Sequence, residues 1–286
     1  MGAVKPKRAI VIGGVNMDIG GSPVNKLIMR DSNPGIITAR PGGVGRNIAH
    51  DMSLLGLEVS LIAAIGDDVY GHGILTSCAE LGLDLSLARV LPDMRTSTYL
   101  YVTDETGDME LAISDMEIVK CITPDYVARH IEAVNSFDAV VLDANLEAET
   151  IEYVAAHCTA PIYADPVSTA KALRFLPVLD KLTALKPNIY EAERLTGEID
   201  PERAARKLVE HGVKRVFISL GEEGILAADE NELLKLPREY VTVVNTTGAG
   251  DGLSLYDSAR AAVKAGAITA TCEGANNPEL SADKLR

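Results

Sequence analysis

Residues 245–252 read "NTTGAGDG". Gly248, Ala249 and Gly250 leave their backbone N–H groups uncovered, and Asp251 follows them directly. Bare N–H groups at the start of a helix attract anions, because orphan donors and helix dipole point the same way. A carboxylate beside such a site is electrostatically awkward unless it takes a proton from an alcohol that then attacks the anion. That is general-base catalysis of phosphoryl transfer, with the small-residue turn holding the charge that develops. A plain glycine-rich turn with a capping Asp would read the same way.

Four further stretches carry polar groups at informative spacing. In "IGGVNMDIGG", Asn16 and Asp18 are two apart and face the same way if the strand stays extended. The pair suits adjacent sugar hydroxyls, or else an Asx turn at a strand end. In "ITARPGGVGRNIAHDMSLLG", Gly42, Gly43 and Gly45 enter a helix with Asn47 in its first turn. Glycines there allow a ligand, or simply a packed strand, to come close. In "LKPNIYEAERLTG", Asn188 and Glu191 share one face of a helix start. They suit Mg²⁺ held through waters, or a capping box with Asn188 as cap and Glu191 at N3. In "SLGEEG", Ser219, Gly221 and Gly224 suit a backbone passing close to a nucleotide, or a plain turn.

These residues need strand ends to hold them. "RAIVIGG", "VSLIAAIG", "FDAVVLDAN", "APIYADP", "LTALKPN" and "RVFISLG" are short apolar runs closed by Gly, Asn, Asp or Pro. Helical patterns alternate with them: "GRNIAHDMSLLG", "YGHGILTSCAELG", "TPDYVARHIEAV", "AETIEYVAAHC", "IYEAERLTG" and "DPERAARKLVEHG". Continuous apolar strands alternating with helices predict an α/β fold with a mostly parallel sheet covered on both faces. Ligands collect at the carboxyl ends of such strands, where the polar residues above lie. Residues 20–41 and 95–116 break the rhythm. The second alternates, turns at "DETGD" and alternates again, as a hairpin does. Together they predict a small β-sheet, serving as a lid or as a dimerisation surface.

The bulk numbers exclude several classes. The 286 residues, 47% of them apolar, suffice for a large core. A net charge of −14 and the lack of tryptophan argue against nucleic-acid partners. No apolar run is long enough for a membrane span, and the N-terminus lacks a signal-peptide pattern, so a cytoplasmic protein is expected. Cys78, Cys121, Cys158 and Cys272 have no CxxC spacing and are expected as buried free thiols. Neither GxGxxG nor GxxxxGK[ST] occurs, which weakens the NAD reading and removes the P-loop one.

In combination the motifs are more specific. Gly42, Gly43 and Asn47, then Asn188 and Glu191, then Thr247 to Asp251, in this order, resemble the ribokinase-like (PfkB) carbohydrate kinase family along nearly the whole chain. "DSNPGIITARPGGVGRNIA", "AISDM", "ADPVSTAK" and "CEGANNPELS" are most similar to its pseudouridine kinase subgroup. The resemblance implies a single ribokinase-like domain over 1–286, a three-layer sandwich with a small β-sheet lid. It implies ATP- and Mg²⁺-dependent phosphorylation of the 5′-hydroxyl of pseudouridine, or of a sugar or another nucleoside. Asp251 would be the base, with Gly248, Ala249 and Gly250 as anion hole. Asn16, Asp18, Gly42, Gly43 and Asn47 would hold the acceptor. Asn188, Ser219, Gly221, Gly224 and Asn277, with Asn276 as its alternative, would border the nucleotide, and Glu191 would serve the metal. Asn145 and Lys171 would lie within reach of phosphate. A monovalent cation such as K⁺ near Asn245 and Thr247, a small-molecule acceptor and a homodimer through the lid are also implied. The lid would exclude water from the reaction.

There is one departure. In the family a long helix starts at the GAGD turn and a second follows. Here "GAGDG" runs directly into "LSLYDSARAAVKAGAITATCEGANNPELS", which matches the second. About a dozen residues, ~20 Å of helix, have no counterpart. Either the protein has lost them, or the chain in the cell is longer by that stretch. A true loss would remove the dipole behind the anion hole and leave a protein that binds nucleoside without turnover.

Overall fold

Fourteen strands and eight α-helices follow from a computed structural model that describes residues 7–237 and Ser281. The strands are β1 (Arg8–Ile12), β2 (Asn16–Pro23), β3 (Gly35–Gly42), β4 (Glu58–Ile62), β5 (Ala64–Gly66), β6 (Arg89–Leu91), β7 (Thr98–Thr103), β8 (Met109–Asp115), β9 (Ala139–Asp143), β10 (Ile162–Asp165), β11 (Leu182–Leu185), β12 (Arg215–Ser219), β13 (Ile225–Ala228) and β14 (Leu233–Leu236). The helices are α1 (Val44–Leu54), α2 (Val69–Glu80), α3 (Pro124–Ala128), α4 (Ile131–Val134), α5 (Ala148–His157), α6 (Thr169–Ala172), α7 (Ile189–Thr196) and α8 (Pro201–Glu210).

The large sheet has the order β14-β13-β12-β11-β10-β9-β1-β4. It is parallel from β4 to β12, and β13 and β14 close it antiparallel. Its strands are apolar on both faces, as a doubly covered sheet requires. Along β1, Ile10 and Ile12 enter one core cluster and Val11 the other. The first cluster includes Ile151 and Val154 of α5 and Ala204, Ala205 and Leu208 of α8. The second includes Ala49 of α1 and Ile74 and Cys78 of α2. Helices therefore cover both faces, giving the expected three layers.

The two irregular segments form a second sheet of order β3-β2-β7-β8. β7 and β8 pair antiparallel around the "DETGD" turn, where Asp104 accepts N–H bonds from Thr106 and Asp108. β2 runs parallel to β7. Asp68 caps α2 through Gly71 and also accepts from Thr96 N at 2.8 Å, tying the root of the second segment to the main body. Bounds differ from expectation at one end. The small sheet begins at Asn16, so Asn16 and Asp18 stand on its first strand and not at the end of β1.

Two expectations need correction. The pattern "TPDYVARHIEAV" predicts one helix, but α3 and α4 are separate. His130 N bonds Val127 O, an i→i−3 contact that tightens the turn between them. The thiols also differ: Cys78 is fully buried, but Cys121 and Cys158 are only half-buried. No helix among the described residues is long and apolar enough to cross a membrane.

Candidate functional site

The described candidate site residues lie on β2, at the junction of β3 with α1, at the end of β12, and in the turns and helix starts that follow β9, β10, β11 and β12. Asn16 is buried and its Nδ2 donates to Asp18 Oδ1. The extended strand thus turns both side chains the same way, as expected. Gly42 is the register partner of Asn16, and a Cβ there would collide with the Asp18 carboxylate. Gly43 adopts φ 100°, and a Cβ on it would come within 2.6 Å of Gly14 O. Both glycines serve close approach of backbone to the Asn16–Asp18 strand, and Gly43 also needs a left-handed conformation. α1 starts at once after Gly43, with Asn47 in its first turn.

Arg46 is the residue that spacing alone does not disclose. It is buried on α1, donating Nη1 to Asn47 Oδ1 at 3.2 Å and Nη2 to Ser77 Oγ at 3.0 Å. Burial raises the Asp18 carboxyl above its usual range, against the hydrogen bond from Asn16 and the nearby Arg46 charge. The only hint in the sequence is a lone cation in the run "GGVGRN".

On the other side of the sheet, Asn188 and Glu191 close a capping box. Asn188 N donates to Glu191 Oε2 at 2.8 Å, and Glu191 N donates to Asn188 Oδ1 at 2.9 Å. Asn188 also bridges Ser219, whose N–H reaches Pro187 O, so the two expected nucleotide residues are neighbours. Gly221 and Gly224 bracket the turn from β12 to β13, both with positive φ, and nothing stands within 4 Å of a Cβ added at Gly221. Burial, with Asp165 nearby, raises the Glu191 carboxyl, although the Asn188 N–H opposes it. Lys186 pairs with Asp165 at 3.3 Å. Hard carboxylate oxygens of this kind suit Mg²⁺ through waters and substrate phosphates. Among the described residues no three metal-binding side chains cluster into a cage.

Between these halves lies a network on β9 and β10. Asp143 is fully buried and accepts from Gly14 N at 2.8 Å and Asn145 N at 2.9 Å. Lys171 Nζ donates to Asn145 Oδ1 at 2.6 Å. Arg174 clamps the carbonyls of Ala144, Asn145 and Leu146. Burial lowers the Lys171 amine, partly offset by the Asp143 charge. Thr247, Gly248, Ala249, Gly250, Asp251, Asn245, Asn276 and Asn277 lie outside the described residues, as does the junction after Asp251.

Residues 7–282 match the pfkB family carbohydrate kinase pattern. The chain belongs to the PfkB family of carbohydrate kinases. This kinase is 35% identical to the pseudouridine kinase of Escherichia coli K12, over 95% of this chain and 93% of that one. The match runs over 291 residues, more than the 286 the kinase has, so the relative carries residues without a counterpart here. The uncharacterized sugar kinase YeiI of E. coli is also 35% identical, over 96% of this chain and 81% of its own. A carbohydrate kinase from Agrobacterium tumefaciens superposes with a TM-score of 0.84 at 28% identity, covering 98% of this kinase and 95% of itself.

Proposed function

We propose that this kinase transfers the γ-phosphoryl group of ATP, with Mg²⁺, to the 5′-hydroxyl of pseudouridine. The observation that carries the reading is the Asn16–Asp18 pair. A buried amide and a half-buried carboxylate are locked together, with the glycine backbone of residues 42–43 pressed against them. Such a pair suits vicinal ribose hydroxyls, and the likeness to E. coli pseudouridine kinase favours a nucleoside. Asp251 takes the proton of the 5′-hydroxyl as its oxygen bonds to phosphorus, and ADP leaves with the electrons of the broken P–O bond. The N–H groups of Gly248, Ala249 and Gly250 receive the charge on the transferred group. Asn188, Ser219, Gly221, Gly224 and Asn277 border the nucleotide. Glu191 holds Mg²⁺, which when bound neutralises phosphate charge. A monovalent cation near Asn245 and Thr247 belongs to the same proposal.

The small sheet is the lid and the dimer surface. Ile37, Leu100, Leu111 and Ile113 are exposed, and the register puts them on the face opposite Asn16 and Asp18. Among the described residues, β3 and β8 leave its two edges open.

Two other readings have specific support. The equal identity to YeiI favours a sugar acceptor. The run of "GAGDG" straight into "LSLYDSARAAVKAG" favours a nucleoside-binding protein without turnover, if the helix after Asp251 is truly lost. One assay separates them: ADP release with ATP, Mg²⁺ and, in turn, pseudouridine, uridine, adenosine, ribose and fructose. Turnover with pseudouridine alone supports the first reading, and turnover with a free sugar the second. Binding without ADP supports the third.

A further inference from the structure

Asp143 stands outside the acceptor and nucleotide residues assigned above, yet the acceptor side and the Asn145–Lys171 pair are both built onto it. Its Oδ2 accepts from Gly14 N at 2.8 Å, across 129 residues of chain, and Gly14 opens the turn that leads to Asn16. A Cβ on Gly13 would lie 2.5 Å from Oδ2, and one on Gly45 3.0 Å, so the turn and the start of α1 both sit directly on the carboxyl. Its Oδ1 accepts from Asn145 N, and Asn145 Oδ1 in turn receives Lys171 Nζ. Among the described residues, the charged groups around it are Lys171 on α6 and Asp165, its register partner on β10. On the β1 side the turn offers backbone alone, and Arg46, next to Gly45 on α1, points its guanidinium to Asn47 and Ser77.

We propose that Asp143 is a positioning residue: as a carboxylate it pins the Gly13–Gly14 turn, and with it Asn16 and Asp18, in register with the Asn145–Lys171 pair. The inference rests on the acceptor-binding role given to Asn16 and Asp18, but not on which acceptor they hold. A carboxylate is the group that suits this place. It accepts two backbone N–H bonds from different directions with no hydrogen of its own to collide with them. The isosteric amide offers one acceptor oxygen and sets an NH₂ against the second donor. Burial raises this carboxyl to about 6 despite the bonds from Gly14 and Asn145; with the turn loosened and the carboxyl still buried those lowering bonds are gone, so protonation favours the loosened turn and the pinning weakens in mildly acidic solution.

The test pairs hydrogen exchange with calorimetry on the full chain, wild type and Asp143→Asn. In the wild type, protection of the segment 13–18, corrected for intrinsic rate, drops between pH 7 and pH 5. In D143N that segment is less protected at both pH values and shows no step. Pseudouridine binding in D143N weakens ~10-fold at pH 7.5, as expected for misplaced hydroxyl ligands, while ATP binding stays within ~2-fold. Wild-type protection that is flat from pH 7 to pH 5 overturns the proposal, and this arm needs no variant. So does a D143N protein with wild-type protection and affinity. Loss of protection spread over the whole chain would make Asp143 a residue of folding alone and also overturn it. If the wild type binds no pseudouridine, the substrate reading fails, and the exchange step between pH 7 and pH 5 still decides the role of Asp143.

Discussion

Asn188 and Glu191 bind each other twice, each backbone N–H donating to the other's side chain at 2.8 and 2.9 Å. Capping a helix and serving a metal were rival readings of the same two residues, and the cap is now a structural fact. It leaves Glu191 Oε1 to account for the rest. Glu191→Gln keeps an oxygen for the Asn188 N–H and drops only the charge. Its melting temperature should stay near wild type while the Mg²⁺ concentration for half-maximal rate rises several-fold, on the order of 10-fold. Glu191→Ala should also lose the reciprocal half of the box, the partner of the Asn188 N–H, at about 1 kcal/mol, while Asn188 still caps the helix. Unchanged Mg²⁺ dependence in E191Q would reduce Glu191 to a cap.

Asp251→Asn should bind acceptor and ATP with near wild-type affinity and turn over at least ~100-fold more slowly, because only proton removal is lost. Calorimetry and ADP release together check it. A wild-type rate would take Asp251 out of the mechanism.

Gly42 and Gly43 should respond differently to a single methyl group. At Gly42 the added Cβ meets a side chain, the Asp18 carboxylate, which can swing away. Gly42→Ala should therefore raise the acceptor KM ~10-fold with little loss of stability. At Gly43 the Cβ meets the backbone of Gly14 and Val15, and φ is 100°. Gly43→Ala should cost roughly 2 kcal/mol in urea denaturation. Equal stability losses in the two variants would show that Asp18 cannot move.

The sheet was legible because its strands are unbroken apolar runs with polar or glycine ends, and those ends carry the proposed site. Asn16 and Asp18 could be paired from spacing alone, since an extended strand repeats every two residues. Asp143 and Arg46 could not be singled out. Their meaning comes from contacts with Gly14 and Ser77, 129 and 31 residues away, which no local period encodes. The split of α3 from α4 was hidden for the opposite reason. Apolar spacing continues through Arg129 and His130 although the backbone turns there.

Stability should depend on pH in the sense opposite to function. The Asp143 carboxyl titrates at about 6 in the folded chain against 3.8 for the free side chain. A carboxyl raised in this way contributes stability that is fully present below the unfolded value and lost as pH rises through 6. A gap of roughly two units at full burial corresponds to ~3 kcal/mol. Burial raises Asp18 and Glu191 as well, which adds in the same direction. Asp68 and Asp84 are lowered by backbone N–H bonds and the nearby hydroxyls of Thr96, Ser60 and Ser86, against the opposing pull of burial. Their contribution is lost only as pH falls below the usual carboxylate range. Between pH 5 and pH 7.5 the raised group therefore governs, and the urea midpoint should be higher at pH 5 than at pH 7.5. Asp143→Asn should remove most of that difference and leave the smaller part that Asp18 and Glu191 supply. A wild-type midpoint that rises with pH over this window would mean that Asp143 stays charged throughout, and the buried carboxylate would then carry no cost.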